Sequence, residues 1–224
     1  MPRAEPTLPD LSQYGMLAEY NRKRNFGVTP EPAGRPPEAK RGGALAFVVQ
    51  KHRATALHYD FRLEYAGVML SWAVPKGPSH DPSVKRLAMV TEPHPLDYNQ
   101  FEGVIPEGEY GGGTVMIWDH GTWEPEDADV ERMIRKNEIK FRLHGKKLRG
   151  SWVLVGTGDR RWLLIKHRDE AASTSDVTVD KPLSAVSRRT MAGIARAAGA
   201  TPRQLAVAAA ADPPRDATVS RSTA

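Results

Sequence analysis

The chain has 224 residues, 40% hydrophobic and 26% charged, which is typical of one globular domain with extensions. It has no cysteine, which excludes disulfide scaffolds, cysteine nucleophiles and thiolate zinc sites. No run approaches the roughly 18 apolar residues that a membrane span needs, and the N-terminus lacks a secretory signal, so we expect a cytoplasmic protein without membrane contact. The formal net charge of +5 arises from the terminal regions, because residues 43–170 carry 18 basic and 18 acidic side chains.

The first 43 residues are predicted to form an N-terminal strap and linker. Residues 11–24 favour a short helix. The Pro- and Gly-rich stretch 29–43 indicates a linker or an extended strap.

Residues 44–170 have the pattern of a β domain. Short alternating or apolar runs are separated by Gly- and Pro-containing turns, and one helix is predicted near residues 127–136. This pattern is typical of an antiparallel barrel or sandwich. We expect a mainly β fold, a compact antiparallel β-barrel of about eight strands, because few residues remain to cover exposed strand edges. The runs are 44–52, 57–65, 67–75, 86–91, 113–119, 139–143, 150–156 and 161–167.

Residues 171–224 are predicted to be a mostly disordered, Ala/Arg-rich tail. No aromatic residue follows Trp162, and 15 of the last 54 residues are alanine, so the tail has little with which to build a core. One weak helix is expected near residues 187–200.

The charges within the central part are segregated along the chain. Residues 101–131 include nine acidic and no basic side chains, whereas residues 132–149 include eight basic and one acidic. Such a basic block could form a phosphate-binding surface. A charged helix followed by a solvated strand explains the pattern as well, and we favour it.

The run LHYDFRLEY places a row of polar side chains on one face of a strand. Residues two apart lie about 6.6 Å apart, so His58 and Asp60 can converge on one ion. Arg62 follows in the same row, where its guanidinium suits an anion that the ion also contacts. His52, at the end of the preceding run, would lie beside His58 in a hairpin. Two His and one carboxylate suit a catalytic Mn, Fe or Zn site, although a polar strand face is more often simply solvated.

Further polar residues follow in the next runs. His94 lies between two prolines in TEPHPLDY, close to Glu92 and Tyr98. The prolines fix the backbone and remove hydrogen-bond donors, which a plain surface loop has little reason to do. Lys76 follows a predicted strand end and Arg86 begins the next strand, and each alone is more often a solvated charge.

Several motifs in order resemble one family, the 3′-phosphoesterase domain of bacterial ATP-dependent DNA ligase D, which acts in non-homologous end joining. They are FVVQKHRATALHYDFRLEYAGVMLSWAVPKGPSHDP, KRLAM, EPHPLDY, FEGVIPEGEYGGGTV and GTW, and the resemblance extends over residues 11–169. It implies a compact β-barrel and a manganese-dependent phosphoesterase of DNA 3′ ends in double-strand-break repair. Such a hydrolase removes 3′-terminal ribonucleosides and 3′-phosphates from primer–template ends and leaves a 3′-OH.

The same resemblance implies roles for individual residues. The metal ligands would be His52, His58 and Asp60, holding Mn²⁺ or another divalent transition metal. His94 would bind the phosphate or protonate the leaving oxygen. The groups around the scissile phosphate and terminal sugar would be Arg62, Lys76, Arg86, His94 and Tyr98, and the residues that support full activity would be Arg24, Glu31 and Glu92.

The chain departs from the family pattern at Asn25, where the family usually has Asp. The lost charge weakens any salt bridge there and puts the ribonuclease step in doubt. His80, in GPSHDP, is interpreted as an incidental turn residue. Because 224 residues leave no room for a polymerase or ligase module, we expect a stand-alone version that meets an end-joining ligase, polymerase or Ku in trans. The C-terminal tail could mediate contact with such a partner, or it could be only a remnant. We favour the interpretation as a remnant.

Two other functions stay open from the sequence. A site of two His and one carboxylate is also the pattern of non-haem Fe(II) oxygenases, and iron- and 2-oxoglutarate-dependent turnover would identify one. A catalytically silent DNA-end-binding module is the third hypothesis. In that case His52→Ala would leave DNA affinity nearly unchanged, and no metal-dependent product would form.

Overall fold

The fold is an antiparallel β-barrel, seen in a computed structural model that describes residues 12–36 and 43–213. The described residues contain nine strands: β1 Leu45–Arg53, β2 Leu57–Tyr65, β3 Val68–Val74, β4 Lys85–Pro95, β5 Gly103–Ile105, β6 Gly113–Pro125, β7 Glu138–Gly145, β8 Arg149–Gly158 and β9 Arg161–Lys166. Eight of them close into a ring, β1-β2-β3-β4-β9-β8-β7-β6, because β1 pairs with both β2 and β6. The short β5 pairs with the first residues of β6.

The barrel confirms the predicted mainly β fold and its closure, and the sandwich alternative is wrong. Each of the eight predicted runs overlaps one strand of the ring. The sequence did not predict β5, because a strand of three residues is too short to display an alternating pattern.

Short helices lie before, between and after the strands. Two are 3-10 helices, at Ser12–Leu17 and Leu96–Gln100, and the others are α1 Ala18–Arg22, α2 Val130–Arg135, α3 Val177–Asp180, α4 Met191–Ala197 and α5 Pro202–Ala209. The helices predicted in residues 11–24 and 127–136 are therefore confirmed, apart from residue 11, which lies outside the described residues. None of the helices in the two described ranges has the length and apolar character needed to cross a lipid bilayer.

Alternation along β2 separates the barrel core from the outer face. Phe61 and Leu63 are almost fully buried and belong to the core inside the ring. Asp60 and Arg62 therefore project to the outside of the barrel, and yet both are buried as well. Other parts of the chain must therefore shield these side chains from solvent. One of them is the N-terminal strap, which we define as residues 12–36.

The strap is folded back on itself before it meets the barrel. The Tyr20 hydroxyl donates to the Pro32 carbonyl at 2.7 Å, and the Asn21 amide exchanges hydrogen bonds with the backbone of Gly34 at 3.0 and 2.9 Å. These bonds hold the Pro-rich part of the strap beside α1. The folded strap lies over β4, where Lys23 forms a 3.2 Å ion pair with Glu92.

Residues 171–213, the C-terminal segment, pack against the barrel, and the prediction of a mostly disordered tail is wrong for them. Met191, Ile194 and Ala195 of α4 are at most 3% exposed and belong to the same core as the barrel strands. The small side chains that suggested a lack of core allow α4 and α5 to lie close together and against β6. The predicted helix near residues 187–200 is confirmed by α4. Residues 214–224 lie outside the described part of the chain.

Two buried lysines bind the C-terminal segment to the barrel strands. Lys51 of β1 donates to the Ala211 carbonyl at 2.6 Å. Lys147, in the β7–β8 turn, donates to the carbonyls of Lys181 and Leu183 at 2.9 and 2.5 Å. These carbonyls lie outside helices and strands, so the lysines donate to backbone groups that no regular secondary structure pairs.

Replacing Ile194 with alanine should destabilise the protein by about 2–4 kcal/mol, because Ile194 is 3% exposed and its truncation leaves a cavity in the shared core. Val186→Ala is the matched control, since Val186 is 57% exposed and should lose less than about 0.5 kcal/mol. Urea denaturation would measure both free energies of unfolding. Equal midpoints for wild type and Ile194→Ala would show that α4 contributes nothing to the cooperative core.

Candidate metal centre

β1 and β2 place three candidate ligands beside one another at the outer face of the barrel. His52 and His58 are directly opposed in the antiparallel pair, and their ring centroids lie 4.8 Å apart. Asp60 follows two residues after His58 on the same face. The ligand atoms of His52, His58 and Asp60 all lie within 4.8 Å of one another. The structure therefore brings together the three residues that the sequence predicted as ligands.

The two imidazole rings are oriented by backbone carbonyls. His52 Nε2 lies 2.8 Å from the Gly111 oxygen, and His58 Nδ1 lies 3.1 Å from the Ala56 oxygen. A carbonyl only accepts, so each of these nitrogens carries the proton in the neutral ring. The remaining nitrogens, His52 Nδ1 and His58 Nε2, face Asp60 at 3.6 and 3.7 Å. Outer hydrogen bonds that leave the inner nitrogens as lone-pair donors are typical of metal-binding histidines.

Charge at the centre favours a bound cation. Burial raises the pKa of Asp60, but the positive charge of Arg62, with smaller contributions from the neighbouring His52 and His58, outweighs burial and holds that pKa well below its ordinary value. Burial lowers the pKa of His58, and Asp60 reverses this to a net increase. Asp60 is therefore ionised at neutral pH, and it attracts positive charge to the space between the two rings.

Arg62 follows His58 and Asp60 on the same face of β2, and its guanidinium is fixed by several neighbouring side chains. Its side chain is 2% exposed. Its Nε donates to Gln50 Oε1 at 3.0 Å, one terminal nitrogen donates to Ser71 Oγ at 2.8 Å, and the other lies 3.2 Å from Asp60 Oδ2. Gln50 in turn donates to the Tyr98 carbonyl at 3.0 Å. The sequence reading missed Gln50 and Ser71, although Gln50 lies two residues before His52 on the same strand face, where alternation could have identified it.

The N-terminal strap brings a second guanidinium into the site. Arg24 Nε donates to Glu31 Oε1 at 2.9 Å, and one of its terminal nitrogens lies 3.4 Å from Glu92 Oε1. The Arg24 guanidinium also lies over the Tyr20 ring, 3.7 Å from its centroid. Thr29 donates to the second oxygen of Glu31 at 2.8 Å. The three predicted supporting residues thus form one buried network.

His94 lies between the two guanidinium groups. Its Nδ1 is 2.9 Å from both an Arg62 nitrogen and the Glu92 carbonyl, and its Nε2 is 3.3 Å from an Arg24 nitrogen. Burial and the charges of Arg62 and Arg24 hold the pKa of His94 well below its ordinary value. A neutral imidazole has one lone-pair nitrogen, so it accepts from only one of the two arginines. The other arginine keeps an N–H group beside the imidazole that has no acceptor on His94, and this N–H could donate a hydrogen bond to an anion.

These side chains line an open cleft of about 330 Å³. The Tyr98 ring packs on His94 with centroids 4.8 Å apart, and burial raises the pKa of Tyr98 well above its ordinary value, so its phenol keeps its proton. Tyr110, which the sequence reading missed, borders the same cleft. Its ring lies 4.8 Å from the Lys23 ammonium.

Lys76 and Arg86 are not brought to this cleft. Lys76 is exposed beyond the end of β3. Arg86 lies on the same face of β4 as Ala88, which is buried in the barrel core, whereas Thr91 on the opposite face lines the cleft. The alternation of β4 therefore directs Arg86 away from the metal ligands. The predicted contact of Lys76 and Arg86 with a phosphate is not supported by these positions.

Asn25 is exposed and does not line the cleft. Its side-chain oxygen accepts from the Gly27 N–H at 3.1 Å, and its backbone carbonyl accepts from Val28 and Thr29 at 2.9 and 3.0 Å. Asn25 thus stabilises the turn that follows Arg24. An aspartate carboxylate could accept the same bond from Gly27.

Four of the eight basic side chains in the basic block, residues 132–149, form ion pairs with carboxylates. Lys140 lies 2.6 Å from Glu138, and Arg142 lies 4.0 Å from Glu170. These pairs fit the interpretation of this block as a charged helix and a solvated strand. A free phosphate-binding surface is not formed by these two side chains.

The pH dependence of stability should reveal the neutral His94. A histidine whose folded pKa is below its unfolded value of about 6.5 contributes stability at high pH and loses it as pH falls, because only the unfolded chain takes up the proton. The slope is at most about 1.4 kcal/mol per pH unit. His58, with its raised pKa, acts in the opposite direction. Urea denaturation at pH 7.5 and 5.5 should therefore show a larger acid loss in wild type than in His94→Gln, and identical pH profiles would contradict a depressed pKa.

The sequence of the chain is similar to one described family and to several curated proteins. A family described as "DNA Ligase D 3'-phosphoesterase domain" matches residues 50–156. The "Multifunctional non-homologous end joining protein LigD" of Pseudomonas aeruginosa is 52% identical over 182 residues, which are 78% of this chain and 22% of that protein. Proteins from Mycobacterium bovis and Mycobacterium tuberculosis are 46% identical over 149 residues, 66% of this chain and 19% of theirs. The chain therefore matches about a fifth of the length of these curated relatives.

Proposed function

The chain belongs to the family of DNA ligase D 3′-phosphoesterase domains, and from that premise we propose that it is a manganese-dependent hydrolase of DNA 3′ ends in end joining. It would remove 3′-phosphates and 3′-terminal ribonucleosides and leave a 3′-OH. One observation carries this proposal: Asp60 lies beside both ligand histidines and also 3.2 Å from Arg62. A metal site and an anion site thus share one carboxylate, which is what a phosphate between them requires.

The donor set fits a catalytic divalent metal. Two imidazole nitrogens and one carboxylate oxygen suit Mn²⁺, Fe²⁺ and Zn²⁺, and three protein ligands leave positions for water and substrate. Bound by His52, His58 and Asp60, the ion would polarise a phosphate oxygen and lower the pKa of a bound water. Mn²⁺ is our proposal because the family resemblance implies it, whereas the donor set alone admits all three metals.

Arg62 and Arg24 would neutralise the charge that develops on the non-bridging phosphate oxygens. Arg62 is fixed by Gln50 and Ser71, and Arg24 by Glu31, so neither guanidinium has to reorganise when the transition state forms. Phosphoryl transfer depends mainly on such positioning and charge stabilisation.

His94 would act on the leaving oxygen. In the free protein its pKa is depressed by burial and by the charges of Arg62 and Arg24. An entering phosphate offsets those two charges, so the pKa of His94 rises and the imidazole can carry a proton to donate. Tyr98 keeps its phenolic proton and would donate to a phosphate or sugar oxygen.

The size of the cleft supports a chain terminus as substrate. Its volume of about 330 Å³ is at the lower end of small-molecule sites, about 300–1,000 Å³, which suits one terminal sugar and phosphate better than a duplex. Tyr110 at the border offers an aromatic ring on which a base could stack.

A primer assay tests the proposal. A 5′-labelled primer on a longer template, ending in a 3′-phosphate or in one ribonucleotide, is incubated with Mn²⁺, Mg²⁺ or chelator. We expect manganese-dependent loss of the phosphate and shortening of the ribonucleotide end, abolished in Asp60→Asn and kept in Asp97→Asn, whose side chain is exposed. Bound DNA without any product would favour a silent end-binding module, and iron- and 2-oxoglutarate-dependent turnover would favour an oxygenase.

Asn25→Asp should change neither step by more than about twofold, because exposed substitutions outside special contacts cost about 0.5 kcal/mol or less. The carboxylate can take over the turn bond to Gly27, and residue 25 does not line the cleft. The initial rates on the phosphate end and on the ribonucleotide end, measured separately, check this. A tenfold gain confined to the ribonucleotide end would instead mean that the amide is a lesion in that step.

A further inference from the structure

A second pocket lies at the end of the barrel that the C-terminal segment covers. Its volume is about 310 Å³, and it lies between the β3–β4 connection, the β7–β8 turn and residues 171–181. Its lining includes the basic side chains Lys147, Arg149 and Lys181 and the hydroxyls of Ser173 and Ser175. The metal cleft has none of these residues in its lining, so the two sites are separate.

The basic side chains of this pocket lack acidic partners. Within residues 12–36 and 43–213, no carboxylate lies within the 4.0 Å ion-pair distance of Lys147, Arg149 or Lys181. Asp180 is the one acidic residue in the lining, so positive charge is in excess. Lys147 and Arg149 belong to the basic block, residues 132–149, but they differ from its β7 members Lys140 and Arg142, which each face a glutamate.

His80 places an unpaired polar side chain at the wall of the pocket. Its side chain lines the pocket, the residue is 9% exposed, and its Nε2 is buried without a hydrogen-bond partner. Buried polar atoms are almost always paired with protein, water or a ligand. The backbone carbonyl of His80 accepts from the Ser173 N–H at 3.1 Å, which fixes the pocket wall beside the ring. His80 lies in a bend, as the sequence predicted, and its buried side chain forms part of the pocket wall.

Burial is the main perturbation of the titratable side chains in this pocket, and neighbouring positive charges add to it. Burial lowers the pKa of Lys147 to about 7, with the charges of Arg188, Lys51 and Lys181 adding to the decrease although Asp119 opposes it. Burial, and then Lys181 and Lys166, likewise lower the pKa of His80. An anion in the pocket would relieve this repulsion.

We propose that this pocket binds a phosphoryl group, held by Arg149, Lys181 and His80 and flanked by the two serine hydroxyls. Guanidinium, ammonium and hydroxyl donors without carboxylate competitors are the usual donors to phosphate oxygens. The group is not the scissile phosphate of the proposed reaction, since the metal ligands lie in the other cleft. Its source is either the backbone of a nucleic acid or a free phosphate compound, and both present the same oxygens.

Backbone amide NMR of the full chain, titrated with inorganic phosphate, tests the proposal. We expect saturable shifts of the Ser173, Ser175 and Lys181 amides, with a dissociation constant that Arg149→Gln/Lys181→Gln weakens at least tenfold. Both substituted side chains are exposed, and unchanged urea midpoints would verify the fold. The matched control Lys140→Gln/Arg142→Gln should leave the constant unchanged, as should the metal-site variant His58→Ala. His80→Ala should also weaken phosphate binding, although this substitution removes no formal charge.

A second titration separates the two sources. A short DNA duplex without terminal phosphates would shift the same amides if the backbone is the ligand, whereas a nucleoside monophosphate alone would shift them if a free compound is. Either result supports the site. Absence of saturable shifts with all three probes, or an equal affinity in the double variant, would overturn the proposal whatever the primer assay gives.

Discussion

His58→Ala is expected to lower turnover of a 3′-phosphate end by about 1,000-fold, because loss of one of three ligands removes several kcal/mol of metal-derived stabilisation. The side chain is 23% exposed and contributes little to the core, so the barrel should remain folded. His52 and Asp60 would hold the ion more weakly. Affinity for Mn²⁺ measured by calorimetry should therefore fall together with the rate.

His144→Ala is the matched control for this prediction. His144 lies on β7 with a side chain that is 46% exposed, and it pairs with Glu124 at 3.4 Å, outside the cleft. Both its rate and its Mn²⁺ affinity should equal those of wild type. An unchanged Mn²⁺ affinity in His58→Ala would exclude this histidine as a ligand, even if the rate fell.

Arg62→Lys is expected to lower the rate by about 100-fold or more at saturating Mn²⁺, since one anchored donor to a developing oxyanion contributes about that much. A lysine ammonium cannot reach Gln50, Ser71 and Asp60 together, because it lacks the planar fork of donors. The ligand atoms of the metal site are untouched, so Mn²⁺ affinity should change little. That division between rate and metal affinity distinguishes Arg62 from the ligands.

Arg142→Lys is the control, because Arg142 is an exposed arginine on β7. It should behave as wild type in both measurements. Arg62→Lys also leaves buried partners unpaired, so its free energy of unfolding should decrease by about 1–3 kcal/mol. Full activity of a folded Arg62→Lys protein would be the result that removes the guanidinium from the proposed mechanism.

The metal centre could be predicted from the sequence because it depends on local geometry. Alternation along LHYDFRLEY puts His58, Asp60 and Arg62 on one face, and a three-residue turn is enough to bring His52 opposite His58. Both statements need only the strand period and one hairpin. The ring of eight strands was also accessible, because each strand has its own apolar run.

Contacts between distant parts of the chain could not be predicted in this way. Composition does not say that the strap would place Arg24 next to His94, 70 residues further along the chain. Nor does it say that the alanine-rich C-terminal segment would pack into the barrel core, since its few apolar residues become a core only beside the barrel strands. To predict the position of Arg86, one would have to know which face of β4 this residue occupies. A bulge near Met69 and His94 makes the register of this strand irregular.

Closure of the barrel has a practical consequence for where an expression fragment can be cut. The family match ends at residue 156, before β9, and begins at residue 50, within β1. A fragment with those limits would leave β4 and β8 without the neighbour that they share, opening two long edges for intermolecular strand pairing. It would also lack Arg24. The limits of the family match are therefore narrower than the part of the chain that closes the barrel and supplies Arg24 to the site.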